Sequence, residues 1–311
     1  MPSNPTSESA AAERLLIVDG HAYAYRAFHA IRGLSSPTGG ATNAIYGFIR
    51  MLGKLVARAK PSHAVVVWDG GLAPERMKLL PEYKAQRPPM PAALEEQLDE
   101  ITAYLRAANM ASFMQESCEA DDCIAALTQQ AVAAGWEVVI ASSDKDFMQL
   151  VSPRVWLLNP NDKTEAFWGA EEVRAKTGVE PAQMVDWLSL VGDSVDNIAG
   201  VPGVGPKTAA DLLRQFGSIE EMYRRLAEVR LERVRAALAA SAELVRRNQE
   251  LVRLKSETPC AVSLEVLAIK PGNDEALRQL FTRWGFESLL RELEEARMGA
   301  GELFEEKAGV A

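Results

Sequence analysis

Short unbroken apolar runs alternate along the chain with longer stretches in which apolar residues recur every three or four positions. The runs are Leu15-Leu16-Ile17-Val18, Val65-Val66-Val67-Trp68 and Val138-Val139-Ile140-Ala141, short and rich in β-branched residues as strands buried on both faces are. Between the first two, Ile45, Phe48, Ile49, Leu52, Leu55 and Val56 fall on one helical stripe and predict a helix from Thr42 to Ala59. Ala92 to Ala108 and Ala120 to Ala134 read as helices, the latter through Ile124, Ala125, Leu127, Ala131 and Val132. Arg154 to Leu158 is a further predicted strand, closed by a turn over Asn159 to Lys163 that contains Pro160. Short helices follow over Ala170 to Thr177 and Pro181 to Leu190. Strands alternating with helices predict an α/β fold, a mostly parallel central sheet flanked by helices.

The polar residues that end these runs change the picture. Asp19 closes the first run, Asp69 the second, and Asp144 and Asp146 follow the third, while Glu119-Ala120-Asp121-Asp122 opens the central helix. Acids in a first helical turn complement the helix dipole and need no function, at about 0.3–1 kcal/mol each. In a parallel sheet, however, all strands point the same way, and groups just past their ends gather along one edge, where such folds place ligands. Two carboxylates about 4 Å apart repel by about 4 kcal/mol at an effective dielectric near 20. A pocket built this way must take up protons or hold cations. Oxygen ligands without His or Cys favour Mg²⁺ or Mn²⁺ over zinc.

Composition sets bounds around that pocket. The 311 residues suffice for a substantial core, and 48% apolar with 25% charged residues describes an ordinary soluble protein. No run approaches the roughly 18 apolar residues of a membrane span. Residues 1–13 lack the basic segment and apolar core of a secretion signal and read as a disordered leader. Cys118, Cys123 and Cys260 are odd in number and lack metal-site spacing, which fits a reduced, cytoplasmic setting. A net charge of −9 argues against a polyanion partner unless the acids collect in one place and leave basic patches elsewhere.

Two such patches stand out. Gly70 to Pro91 is irregular and holds Arg76, Lys78, Lys84, Arg87, Tyr83 and five prolines, a basic loop with an aromatic that suits a lid over phosphate and single strands. Gly192-Asp193-Ser194-Val195-Asp196-Asn197 then leads into Gly200-Val201-Pro202-Gly203-Val204-Gly205-Pro206-Lys207-Thr208. Small residues let backbone approach a phosphate, and a helix starting near Pro206 or Lys207 presents free amides and a positive dipole end. That is the pattern of a helix-hairpin-helix, which grips duplex backbone without reading sequence. A P-loop is excluded because Gly-Lys-Ser/Thr is absent.

From Ile219 onward an Arg- and Leu-rich helical stretch presents a mostly solvated face. Residues 261–269 read as a short strand or extended crossover, 274–293 as a helix and 294–311 as a disordered tail. His21, His29 and His63 are dispersed, and only His21, two residues from Asp19, is placed near the pocket.

Taken together, Val18-Asp19-Gly20, Trp68-Asp69, Glu119-Ala120-Asp121-Asp122, Asp144-Lys145-Asp146 and Gly192-Asp193-Ser194-Val195-Asp196-Asn197 make the chain resemble the 5′ nuclease family. This family comprises the 5′–3′ exonuclease domain of bacterial DNA polymerase I and the flap endonucleases, and the resemblance runs from about Leu15 to Leu293. It implies metal binding by Asp19, Asp69, Glu119, Asp121, Asp122, Asp144, Asp146, Asp193 and Asp196, around two Mg²⁺ or Mn²⁺ ions. It implies catalytic roles for Arg26, Lys84, Asp69 and Asp122. Contacts to DNA are implied for Arg26, Arg76, Tyr83, Lys84, Arg87, Gly203, Gly205, Lys207 and Thr208, and K⁺ binding by hairpin carbonyls around Val201 to Val204.

In this resemblance residues 14–180 form a PIN-like or resolvase-like nuclease core with an arch at 72–110 that guides a free 5′ end. Residues 181–293 hold the helix-hairpin-helix and the C-terminal helices. The expected activity is structure-specific 5′–3′ exonuclease and 5′-flap endonuclease hydrolysis in replication or repair, by a monomer. Leu303-Phe304 in the tail suggests a weak sliding-clamp contact. A structure-specific DNA-binding scaffold and a PIN-type ribonuclease are the alternatives. Trp68 and Glu75 depart from residues frequent in the family, away from the metal chemistry, and the absence of a following polymerase region fits a free-standing nuclease or a fragment.

Overall fold

The computed structural model describes residues 13–308 apart from 163, 165, 259 and 261, with side chains through Arg297. Strands β1 (Arg14–Asp19), β2 (His63–Trp68), β3 (Ala111–Met114), β4 (Glu137–Ala141), β5 (Val155–Leu158) and β6 (Phe167–Trp168) form one sheet in the order β3-β2-β1-β4-β5-β6. All pairings are parallel except β5 with β6. In register, Val18 lies beside both Val66 and Ala141, so β1, β2 and β4 end nearly level. The chain runs from β1 outward to β2 on one side and later to β4 on the other, which opens a crevice at the carboxyl ends between them.

Side chains alternate between the two faces of the sheet. Leu16, Val18, Val66 and Val139 pack under α1 (Gly20–Ala30), α2 (Asn43–Ala59) and, beyond the short α3 (Pro74–Leu79), α4 (Ala92–Ala107). Leu15, Ile17, Val65, Val67, Val138 and Ile140 face α5 (Ala120–Ala133), α6 (Ala170–Thr177) and α7 (Met184–Val191). A two-stranded ribbon, β7 (Gly192–Asp193) with β8 (Ile198–Ala199), leads to α8 (Pro206–Phe216). Then come α9 (Ile219–Arg224), α10 (Glu232–Ala240) and α11 (Ala242–Val252), built on the same apolar cluster as α5. The last two helices, α12 (Asp274–Trp284) and α13 (Glu287–Ala308), return to the opposite face, where Phe281, Trp284 and Leu289 join the α2 and α4 core.

Several sequence expectations change. The single helix expected over 274–293 is broken at Gly285, which adopts a left-handed φ of 73° and splits it into α12 and α13. Helix α13 then continues to Ala308 through the segment expected to be a disordered tail. The Leu303-Phe304 side chains fall outside the described ones, and the leader, except Glu13, outside the described residues. Of the two alternatives for 261–269, a short strand or an extended crossover, the strand is not formed: the described residues make a short 3-10 turn at Leu264–Leu267 and one bridge from Ala268 to His63. Strands β3 and β6 were not expected, and α4, assigned to the arch, buries Leu94, Ile101 and Leu105 completely in the core.

Candidate active site

Each strand end delivers its acid for a local reason. Asp19 ends β1 and caps α1, accepting from the Ala22 amide at 3.1 Å. Ser142, just past β4, donates from Oγ to Asp19 Oδ2 at 2.8 Å and accepts from the Asp144 amide at 3.1 Å, tying the two strand ends together. Asp69 Oδ1 accepts from the Ala120 amide at 2.8 Å, so the acid after β2 caps the first turn of α5. Asp144 in turn caps the 3-10 turn that carries Asp146.

Asp19, Asp69, Asp121 and Asp144 line one cavity of about 520 Å³ with His21, Tyr25, Lys84, Arg87 and Met90. His21 accepts from the Asp69 amide through Nδ1 at 3.2 Å, which places it in the pocket as expected. Beside this group, Asp146, Asp193 and Asp196 offer one oxygen each within 4.8 Å of one another. Eight residues of the expected ligand set therefore gather, counting Glu119, which sits buried beneath Lys84.

Crowding shows in the protonation of the acids. Burial is the main cause that raises the Asp19 carboxyl to about 6, with Asp69 and Asp144 adding to it. Burial also pushes Asp121 and Asp146 well up, Asp144 being the largest charged contributor to each, and raises Asp144 itself. Burial alone would raise Asp69 too, but the contact with His21, the hydrogen bond from the Ala120 amide and the charge of Lys84 outweigh it and hold the group low. Carboxylates held this way lack enough cations of their own. The all-oxygen donor set fits hard divalent ions.

Some positive charge is supplied by the loop after α3. Lys84 Nζ lies 2.6 Å from Glu119, 3.9 Å from Asp121 and 3.8 Å from Asp196. The Lys84 ammonium is desolvated, yet these carboxylates more than compensate and hold its pKa up. Lys84 itself has a positive φ of 56°, fixed by its amide donating to the Asp196 carbonyl at 3.1 Å. Tyr83 donates to Glu119 at 3.1 Å and Asp196 at 3.2 Å, and Arg87 pairs with Asp196 at 2.7 Å.

Four expected site residues are placed differently from the expectation. Asp122 faces away from the pocket and is held by the Arg76 guanidinium in two bonds, Nη1 to Oδ2 at 2.7 Å and Nη2 to Oδ1 at 2.8 Å. Arg76, expected on DNA, is 2% exposed and also donates to the Leu251 and Arg253 carbonyls, so it ties α3 and α5 to the end of α11. Arg26 turns to Asn161 and lines a separate cavity with Lys54 and Arg58. Tyr83 is 3% exposed and faces the acids rather than solvent.

Two residues were missed. Lys145 pairs with Asp193 at 2.9 Å, a role its place between Asp144 and Asp146 already suggested. Ser142 carried no signal beyond a hydroxyl at a strand end.

The hairpin lies at the edge of this site. Gly192 has φ 78°, and a Cβ there would come within 2.3 Å of the Gly200 nitrogen, so the ribbon that presents Asp193 needs glycine. Val201 and Val204 point inward, while Gly203, Gly205 and Lys207 are exposed and Thr208 partly so, at the start of α8. The first-turn amides of α8 have no partner within the helix. Exposed amides and a lysine at a helix start make an anion-binding surface.

Comparison with known proteins agrees with this geometry. Residues 14–178 match the 5′-3′ exonuclease N-terminal resolvase-like domain, and residues 179–275 match the 5′-3′ exonuclease C-terminal SAM fold. A 5′-3′ exonuclease of Aquifex aeolicus (strain VF5) is 39% identical over 281 residues, which cover 90% of this chain and 95% of that protein. DNA polymerase I of Bacillus caldotenax is 37% identical over 284 residues, and the chain spans 32% of that polymerase's length. The T5 5′-exonuclease with bound zinc ions has the same fold, with a TM-score of 0.66 at 25% identity over 88% of this chain and 100% of that one. A parallel sheet that gathers carboxylates at its switch point, followed in order by a helical hairpin domain, is what both family matches cover: the chain belongs to the 5′-3′ exonuclease family.

Proposed function

We propose that the chain hydrolyses phosphodiesters of branched DNA as a 5′–3′ exonuclease and 5′-flap endonuclease dependent on Mg²⁺ or Mn²⁺. The observation that carries this reading is the convergence of Asp19, Asp69, Asp121 and Asp144 in one cavity beside the Asp146, Asp193 and Asp196 cluster. Zinc bound in the T5 5′-exonuclease supports divalent-ion chemistry on this fold. Asp19, Asp69, Glu119, Asp121 and Asp144 would hold one ion, and Asp146, Asp193 and Asp196 the other. When bound, the ions supply a water of lowered pKa and charge stabilisation at the phosphate oxygens.

The chain's own residues do the rest. Lys84 sits among the carboxylates with its ammonium charged, ready to offset negative charge that grows on the scissile phosphate. Arg87 extends that positive edge from the exposed side. Gly203, Gly205, Lys207 and Thr208 present backbone amides and a point charge to duplex phosphate, with Arg233 close to Gly203. Carbonyls around Val201 to Val204 would take K⁺ at that grip. Arg26, at the neighbouring basic cavity with Lys54 and Arg58, contacts the strand beyond the cut rather than the reacting phosphate. Among the described residues no helix is long and apolar enough to cross a membrane.

The test is digestion of a 5′-flap DNA labelled at its 5′ end, with Mg²⁺, with EDTA and with Asp121→Ala. Wild type with Mg²⁺ should release the labelled flap, and both other conditions should lower the rate by at least about a hundredfold while binding persists. A wild type that binds the flap and releases nothing is a DNA-binding scaffold. Faster cutting of an RNA strand identifies the ribonuclease alternative.

A further inference from the structure

Two of the chain's three cysteines, Cys118 and Cys123, meet at the start of α5, and the third, Cys260, packs on the same apolar cluster. Cys118 stands just before Glu119, the N-cap of α5, and Cys123 is the fourth residue of that helix. Residues at these two places commonly pack as an apolar staple that fixes how the chain enters a helix. Here both are thiols, and their Sγ atoms lie 3.1 Å apart. Bonding requires about 2.05 Å, so the sulfurs need to approach by only about 1 Å. Cys260, on that cluster, is half-buried.

The pair brackets Glu119-Ala120-Asp121-Asp122, the turn that meets Lys84 and presents Asp121 to the cavity. The Cys118 carbonyl accepts from the Gly70 amide at 3.0 Å, and the Ala120 amide holds Asp69, so movement at this turn reaches the end of β2 through two contacts. Access comes from one side: Cys118 follows the exposed Glu116 and Ser117, and Ser117 has a left-handed φ of 58°. Local opening of that turn uncovers the thiol without unfolding α5.

We propose that Cys118 and Cys123 form a reversible disulfide on exposure to a peroxide, an oxidisable staple that locks the turn carrying Glu119 and Asp121. Two thiols and one hydroperoxide give one disulfide, one alcohol and one water. Both electrons pass from the sulfurs into the broken O–O bond, and both thiol protons end on its oxygens. A first peroxide oxygen on one thiol gives a sulfenic acid, which the second thiol displaces as water. Formation of the bond does not depend on the nuclease reading; its effect on the metal site rests on it.

The experiment treats the reduced, metal-free chain with stoichiometric hydrogen peroxide, blocks remaining thiols with N-ethylmaleimide and maps the digest by mass. The peptide carrying both residues should lack two hydrogens and carry no label, Cys260 should be labelled, and dithiothreitol should restore both thiols. Cys123→Val keeps an apolar contact at the staple and should form no internal bond. Persistent labelling of Cys118 and Cys123 while Cys260 oxidises, or a bond from Cys118 to Cys260, overturns the proposal. Mn²⁺ titration before and after oxidation should show a several-fold change in affinity in wild type and none in Cys123→Val. Unchanged affinity with the bond formed overturns the coupling to the site, whereas failure of flap cleavage by the reduced chain overturns only the nuclease reading.

Discussion

Asp121 and Asp122 are neighbours in sequence with different fates, and helix geometry explains why. Successive residues in an α-helix point about 100° apart, so of two adjacent carboxylates in a first turn, one faces the strand ends and the other turns away. Asp122 takes the second direction and meets Arg76, each nearly inaccessible to solvent. Removing one partner of a buried ion pair leaves a desolvated charge, at about 3–5 kcal/mol. Asp122→Ala is therefore expected to lower thermal stability by that amount, whereas Asp121→Ala should hold or raise it by relieving repulsion. Paired thermal melts of the two variants check this, and equal losses would return Asp122 to the metal site.

The same crowding predicts a pH response. Because the Asp19 carboxyl sits at about 6 in the folded chain against an ordinary 3.8, the folded state holds its proton more tightly than the unfolded chain. That contribution is fully present below about 3.8 and is lost as pH rises through about 6. In metal-free protein, Asp19→Asn should flatten the fall in melting temperature between about pH 4 and pH 6. A wild-type melt no steeper than that of the variant across this window contradicts the assignment.

At the scale of elements, the hairpin before α8 depends on glycine at chosen places. Gly203 has φ 78° and open space around it, with Arg233 the nearest neighbour at 3.9 Å, so a larger residue there meets backbone strain rather than a clash. Gly203→Val should weaken flap-DNA affinity several-fold, measured by fluorescence anisotropy, with little change in helix content by circular dichroism. Gly192 differs, since added atoms there would strike the Gly200 and Ile198 backbone. Gly192→Ala should therefore reduce both affinity and folding. The segment formed by α3 and the loop after it is the second such element, and it reaches the pocket through Lys84. Its basic and aromatic composition pointed outward to DNA, yet Arg76, Tyr83 and Lys84 are drawn inward, because the acids they meet come from α5 and the β7–β8 ribbon.

Across the whole molecule, α12 and α13 belong with the sheet's α2 face, although they follow the hairpin domain in sequence. Phe281, Trp284, Phe286 and Leu289 are buried there, and Arg50 of α2 pairs with Glu292 of α13 at 2.7 Å. Truncation after Gly272 should uncover that face, lower the melting temperature by well over 10 °C and promote aggregation, since several buried large side chains cost about 2 kcal/mol or more each. Static light scattering with a thermal melt checks it. A soluble, equally stable fragment would show that α12 and α13 are dispensable to the core.

The parallel strands other than β3, the main helices and the hairpin helix were legible in sequence because each is fixed by local periodicity and by its own end signals. Asp19, Asp69, Asp144 and Asp146 were legible for the same reason, standing where apolar runs stop. Direction was not. Which of Asp121 and Asp122 faces the cavity, where Arg26 and Arg76 turn, and how Ser142 links β1 to β4 depend on partners 40 or more residues away. The two-residue strand β6 likewise comes from pairing with β5, whereas the break at Gly285 is a local left-handed cap. The sequence by itself determined which chemical groups stand at the strand ends; tertiary structure alone decided which of them share a cavity, because repulsion and desolvation act through space and have no period along the chain.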